Sequence, residues 1–471
     1  MTVLLAVWAV GCSGNSGERE EGPPPPHMTS APLSYADVVQ RVAPAVVTVR
    51  SAKRVRVSAQ SSFGSDDFLR RFFGGGGILG QRSPEEVERS LGSGVIVRSD
   101  GHILTNNHVI DGAQDIKVDL NNRQTYSAKV VGADPPSDLA VLKIDANNLP
   151  QLQLGDSDQV RVGDICLAIG NPLGIGETVT SGIISAKGRR TGLSNGSFED
   201  FLQTDASINQ GNSGGALINT NGALIGINSQ ILSPNGGNIG IGFAIPSNMA
   251  KTVMDQLIRN GKVSRGHLGV TVQPMTSDLA QTFGLKGVQG VLVNSVDPGS
   301  PADQAGVKSG DVVVALNGKK TDDPNSFRNE VASTGAGNTV TLTLVRDGRQ
   351  MDLKATLAET PANGQPQKRG STRTPGQGRL GVTIEPLTPD VASELGLKSG
   401  TTGVVITDLD PDGAGANAGL QTGDVIVQIN HQPIHSVNDV GPALDKASNG
   451  PSLLLVNRGG QAFFVTVNRG Q

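Results

Sequence analysis

Three side chains far apart in the chain have types suited to cleaving an acyl bond: Ser213 in INQGNSGGAL (208–217), His108 in ILTNNHVI and Asp138 in DPPSDLAVLKI. A serine among glycines is a turn former in the ordinary case. It becomes a nucleophile where a neutral imidazole takes its proton and a carboxylate holds that imidazole in one tautomer. Glycine on both sides then has a use, because it lets backbone N–H groups come close to a reacting carbonyl. Of the six histidines, His27 lies in a Pro-rich stretch and His267, His431 and His435 lie in C-terminal repeats. His102 follows the turn SDG and is expected to be solvated, which leaves His108 at the end of an apolar run. Asp138 stands immediately before the strongly apolar LAVLKI, where a carboxylate needs a partner; Asp134 and Asp145 read as turn residues.

The elements that would position these groups are strands. At 471 residues the chain suggests about three domains, and 63 glycines with only 3% aromatics point to Val, Ile and Leu cores joined by tight turns. From Gly94 to Ala244 short apolar runs alternate with turns, which reads as mainly β, a barrel or pair of barrels. Pro246-Ser247 then opens an amphipathic helix with Met249, Val253 and Leu257 on one face, closed by Gly261. A repeat follows: HLGVTVQPM (267–275) returns as RLGVTIEPL (379–387), and SGDVVVALNGKKT (309–321) as TGDVIVQINHQPI (422–434). The expected divisions are a leader (1–12), a Pro-rich tether (13–33), a β domain (34–261), a first repeat (265–359), a polar linker (360–377) and a second repeat (378–471). Ser34 is expected to cap a short helix ended by Pro44. Phe63, Phe68, Phe72 and Phe73 lie in a loop between Ser51 and Arg89 that is expected to dock on another subunit or over a cleft.

Composition also excludes. A net charge of −4 gives no field that favours nucleic acid. No HExxH, CxxC or Walker pattern occurs, so no metal and no nucleotide cofactor is expected. GAGANA (413–418) fits a dinucleotide fingerprint only by spacing, because no βαβ unit surrounds it. Cys166 is expected to be a core residue. The run ending Ala9-Val10-Gly11-Cys12 is similar to a lipobox, although no Lys or Arg precedes it. A lipid anchor at Cys12 and simple removal of the leader both stay open.

The order His108, Asp138, Ser213 is that of the chymotrypsin arrangement. TNNHVI, SDLAVLKI and INQGNSGGALIN together resemble the Deg/HtrA family of serine proteases, and the resemblance spans nearly the whole chain beyond the tether. It implies a trypsin-like double β-barrel followed by two PDZ domains. It implies His108 as general base, Asp138 as its orienting acid, and an oxyanion hole from the N–H groups of Gly211 and Ser213 with Asn212 between them. Six residues before the nucleophile stands Ser207 rather than an aspartate, so a small apolar pocket lined by Ile208 and Ile231 is expected instead. In the first PDZ domain the loop Arg265, Gly266, His267, Leu268 is expected to receive a peptide carboxylate; in the second the loop is Gly378, Arg379, Leu380, Gly381. The implied function is ATP-independent degradation of misfolded or unfolded proteins in the periplasm by a trimer or larger homo-oligomer, with PDZ domains that take C-terminal peptides. The competing reading is a chaperone or peptide-binding scaffold with an idle protease domain.

Overall fold

The computed structural model describes residues 34–56, 85–171, 177–191, 198–209, 211–231, 238–283, 285, 287, 289–360, 377–378, 380–398, 400–446 and 450–468. The leader with Cys12, the tether, the four loop phenylalanines, residues 361–376 of the linker and Arg379 lie outside them.

Short Val- and Ile-rich runs close into two barrels. The first contains β1 (Val46–Arg56), β2 (Glu85–Arg98), β3 (His102–Thr105), β4 (Asp115–Asp119), β5 (Thr125–Asp134) and β6 (Leu139–Ile144), in the order β1-β2-β3-β6-β5-β4. The second contains β7 (Ile165–Gly170), β8 (Thr178–Arg189), β9 (Phe201–Thr204), β10 (Ala216–Asn219), β11 (Leu224–Ile231) and β12 (Gly242–Pro246), in the order β10-β11-β12-β9-β8-β7. Closure leaves no sheet edge unpaired, and inward side chains such as Val49, Val95, Ile103 and Leu142 fill the first interior. The helix Ser247–Asn260 buries Ala250, Val253, Met254 and Leu257. It packs on β5 and β6 of one barrel and on β11 and β12 of the other, so one apolar face spans both. Gly261, at φ 70°, ends it with an N–H bond to the Leu257 carbonyl. The first helix runs Ala36–Val42, and Tyr35 rather than Ser34 occupies its cap; the Ser34 hydroxyl still accepts from the Ala36 N–H at 3.1 Å.

The two repeats form two further antiparallel sheets, each with a helix, Pro324–Thr334 and Val437–Asp445. Their sequence correspondence has a physical core. Asp311 and Asp424 are 1% and 0% exposed, and a buried carboxylate needs a matched partner. Arg346 meets Asp311 with Nε at 2.6 Å and Nη2 at 2.7 Å, and Arg458 meets Asp424 at the same two distances. The repeats also pack on each other. The Gln273 amide accepts from the Phe464 N–H at 2.7 Å and donates to its carbonyl at 3.1 Å, beside an apolar cluster of Met275, Leu279, Leu292, Leu453 and Leu455. GAGANA contributes only the one-turn helix Ala414–Asn417, packed against Leu380 and Val382. Among the described residues no helix is long and apolar enough to cross a membrane.

The first repeat is seated on the barrels by polar contacts. Arg265 grips Asp134 at 2.8 and 2.5 Å, with side chains 11% and 6% exposed. Phe198 is stacked between the guanidinium groups of Arg265 and Arg328, at 4.5 and 4.4 Å from its ring centre. Asn325 and Asn329, on the helix of that repeat, both donate to the Glu199 carbonyl, at 2.7 and 2.8 Å. Next to it, burial pushes the Asp200 carboxyl up to about 6. Asp158 and Asp323 add to that rise, while Lys319 and Lys187 oppose it.

Two outcomes follow from this seat, both measurable in a Ser213→Ala background that prevents self-digestion. Arg265→Met strands a buried carboxylate and should cost roughly 3 kcal/mol, whereas adding Asp134→Asn, which removes the charge but keeps an oxygen for Ser137, should restore most of the loss. Urea unfolding of the four members of the cycle measures it, and an Arg265→Met midpoint equal to the parent refutes it. Asp200 is raised on folding, so its neutral form is favoured and its contribution to stability declines as pH climbs from the ordinary carboxylate range through about 6. Asp200→Asn should therefore melt higher than the parent at pH 7.5, with the gain shrinking toward pH 4 in a thermal-melt series.

Candidate active site

Asp138 is placed by its own backbone. The turn Pro135–Ser137 follows β5 and is capped by Asp134, which accepts from the Ser137 N–H and hydroxyl. Asp138 then takes a left-handed conformation, φ 54° and ψ 39°, that few side chains other than Asn and Asp adopt readily. Its carbonyl accepts from Asn107 N–H at 3.1 Å and from the Asn106 amide at 3.0 Å, which draws in the segment that carries His108. That segment is a one-turn helix, Asn107–Ile110, just beyond β3 rather than a strand end.

The Asp138 carboxylate accepts three bonds. Its Oδ1 takes the His108 N–H at 3.0 Å, and its Oδ2 takes His108 Nδ1 at 2.7 Å and the Ser229 hydroxyl at 3.0 Å. A carboxylate on Nδ1 fixes the imidazole with its proton on that nitrogen, which leaves Nε2 as the basic edge. The Ser213 hydroxyl donates to the Ser229 carbonyl at 2.9 Å. Ser229 therefore joins the two ends of the constellation, with its hydroxyl on Asp138 and its carbonyl on Ser213. Through Ser229 the fold ties Ser213 to the bonded pair His108 and Asp138 where the two barrels meet. The sequence reading missed Ser229; its signal was a polar Asn-Ser pair inside the apolar run LIGINSQIL.

The glycines around Ser213 serve a different purpose from the one expected. A β-carbon on Gly214, at φ 83°, would overlap the Ser93 carbonyl and the Thr105 hydroxyl of the first barrel. One on Gly215 would overlap the Ile169 carbonyl of β7. These two positions admit neighbouring backbone rather than a substrate. Gly211, just before Asn212, has φ 96°, a left-handed conformation that favours glycine.

Other expectations shift as well. Ile208 and Ile231 are 0% and 1% exposed and pack in the interior of the second barrel with Cys166, Leu202 and Leu217. A narrow closed barrel is filled by its inward side chains, so neither isoleucine forms an open pocket wall. Cys166 is a core residue whose thiol burial pushes up to about 11, far from a reactive thiolate. His102 is only 13% exposed and is not solvated, because Asp100 holds its Nδ1 at 2.6 Å. In the first repeat, Arg265 is committed to Asp134, Gly266 and His267 pair with Glu359 and Ala358, and Leu268 is buried with its carbonyl bonded by Ala302 N–H at 2.9 Å. The strand Val270–Pro274 beyond them is the edge of its sheet, the position from which a peptide strand can be added. Among the described residues no group of His, Cys, Asp and Glu could hold a metal ion.

Comparison with known proteins finds the same three domains. A trypsin-like peptidase domain family matches residues 92–227, and PDZ domain families match 266–357 and 405–458. A probable periplasmic serine endoprotease, DegP-like, of Chlamydia pneumoniae is 41% identical over 446 residues, covering 92% of this chain and 89% of that protein. A probable periplasmic serine protease, do/HhoA-like, of Haemophilus influenzae is 40% identical over 449 residues, covering 94% and 93%. Among solved structures, the HtrA-type protease AlgW with a tripeptide is 43% identical with a TM-score of 0.57, covering 70% of this chain and 98% of that one. The same protease with a decapeptide is 44% identical with a TM-score of 0.55.

Proposed function

This chain belongs to the DegP/HtrA family of serine endoproteases, and on that premise we propose that Ser213 is its nucleophile, His108 its general base and acid, and Asp138 the group that orients His108. The observation that carries the assignment is the Asp138 carboxylate shared between His108 Nδ1 at 2.7 Å and Ser229 at 3.0 Å, with Ser229 bonded in turn to Ser213. A turn about the Ser213 side-chain bond takes its hydroxyl from the Ser229 carbonyl to His108 Nε2. Attack on a peptide carbonyl then passes the proton to Nε2, and Asp138 stabilises the imidazolium. The N–H groups of Gly211 and Ser213, with Asn212 between them, are the donors to the oxyanion. Acylation expels the amine with the proton returned from His108, and water repeats the sequence to free Ser213.

Its substrates are polypeptides. The finer reading is that they are unfolded or misfolded chains in the periplasm, cut without ATP and recruited by C-terminal peptides at the sheet edge Val270–Pro274. Homo-oligomerisation as a trimer or a multiple of it, and a lipid anchor at Cys12, belong to the same reading. The bonded His108–Asp138 pair does not favour an idle scaffold.

A fluorophosphonate probe should label Ser213 in the full-length chain, and Ser213→Ala should abolish labelling and reduce casein hydrolysis by roughly 10⁶-fold. Ser229→Ala removes a hydrogen bond to a charged group, worth about 1.5–3 kcal/mol, and should lower kcat about tenfold with KM little changed. An unlabelled oligomer that suppresses aggregation but never cleaves would establish the scaffold instead.

A further inference from the structure

Ser93, on β2 of the first barrel and fully buried, touches the nucleophile segment of the second barrel at two points. Its N–H donates to the Ser213 carbonyl at 2.8 Å, and its hydroxyl donates to the Gly211 carbonyl at 2.6 Å. The same hydroxyl accepts from Asn171 N–H at 2.9 Å, which fixes the direction of its own proton, and the Thr105 hydroxyl holds the Ser93 carbonyl at 2.7 Å. One residue thus spans Asn212, gripping the carbonyl before it and the carbonyl after it.

A peptide group is a rigid plane, so a fixed carbonyl fixes the N–H that follows it. The hydroxyl of Ser93 therefore pins the Gly211–Asn212 plane, whose N–H is bonded to the Asn209 carbonyl at 3.0 Å. The Asn212 carbonyl is held in turn by Gly215 N–H at 2.9 Å. The pinned plane lies between the plane carrying Gly211 N–H and the plane carrying Ser213 N–H. Glycine at 211 has no side chain to restrict its rotation, so without the Ser93 bond the middle plane keeps only its Asn209 bond and can tilt, turning the adjoining Gly211 donor while Gly215 still holds the plane of the Ser213 donor.

We propose that Ser93 is a positioning residue for the oxyanion hole, its hydroxyl reaching from the first barrel to hold the Gly211–Asn212 peptide so that the adjoining Gly211 N–H faces the reacting carbonyl beside that of Ser213. The proposal rests on the assignment of those donors above. It divides the work of the barrels: the second supplies both donors, and the first steadies the one at Gly211.

The test is Ser93→Ala in the full-length protease, assayed with a fluorogenic peptide and with a peptide boronic acid, whose tetrahedral adduct places an oxygen in the hole. Loss of a whole donor costs roughly 100- to 1000-fold in rate, and misdirection of one retained donor should cost about 10- to 100-fold. The expected result is a kcat loss of that size, an equal loss of boronate affinity and a KM within about twofold of the parent, with Ser93→Cys intermediate because a thiol is a weak donor. Ser247→Ala is the control: it removes another serine-to-carbonyl bond, to Gly155 at 2.7 Å, far from the nucleophile. It should lower the melting temperature without moving kcat or boronate affinity. Parent-like kcat in Ser93→Ala, or a kcat loss with boronate affinity unchanged, overturns the proposal. If Ser93→Ala does not fold, Ser93→Cys carries the same comparison. Failure of the parent itself to react at Ser213 would instead overturn the catalytic assignment.

Discussion

The site depends on two closed barrels meeting backbone to backbone. His108 and Asp138 belong to the first barrel and Ser213 to the second, so no single strand ladder sets their separation. What sets it is the bond from Ser93 N–H to the Ser213 carbonyl, possible only because Gly214 has no side chain where the first barrel arrives. Apolar packing between barrels is non-directional and would tolerate a slide. Hydrogen bonds between backbone groups are not so tolerant, because they weaken steeply with angle. An alanine at 214 would separate the barrels and, with them, the acid–base pair from the hydroxyl.

The same logic explains the strained placement of Asp138. A left-handed non-glycine residue costs about 1–2 kcal/mol and persists only where its surroundings over-determine it. Here the carbonyl is held by Asn106 and Asn107 and the carboxylate by His108 and Ser229. The strain aims carboxylate and carbonyl at the His108 segment together, so the imidazole is oriented through both its ring and its backbone. Ser229 completes the arrangement from the second barrel, as a strut between the Asp138 carboxylate and the Ser213 hydroxyl.

Much of this was legible in the sequence, for identifiable reasons. Asp138 before LAVLKI announces a carboxylate entering a core, His108 follows an apolar run, and the return of SGDVVVALNGKKT as TGDVIVQINHQPI marks a second copy of the same sheet, although it does not name the arginine that each buried aspartate meets. What the sequence did not disclose depends on contacts between elements distant in the chain. The reason for Gly214 lies at Ser93, the fate of Arg265 lies at Asp134, and the burial of Ile208 follows from barrel closure. Each is a matter of which backbone arrives at a given point, which no local pattern encodes. Ser229 was the exception, since a serine in the middle of LIGINSQIL asks for a partner in its own right.

The turn that presents Asp138 is also where the first PDZ repeat is attached. Asp134 caps this turn and receives Arg265, and the Pro136 carbonyl accepts from Phe198 N–H at 2.7 Å. Phe198 in turn is held between Arg265 and Arg328. The segment from Asp134 to Asp138 is therefore fixed at its start by the first PDZ domain and at its end by His108. Because Asp134 is nearly fully buried, it cannot give up the guanidinium without either recruiting water or shifting the turn it caps. Either response acts on a residue that is only a few backbone bonds from the acid. Arg265 and His108 thus hold opposite ends of one turn, joined by the chain itself rather than by a long network of side chains.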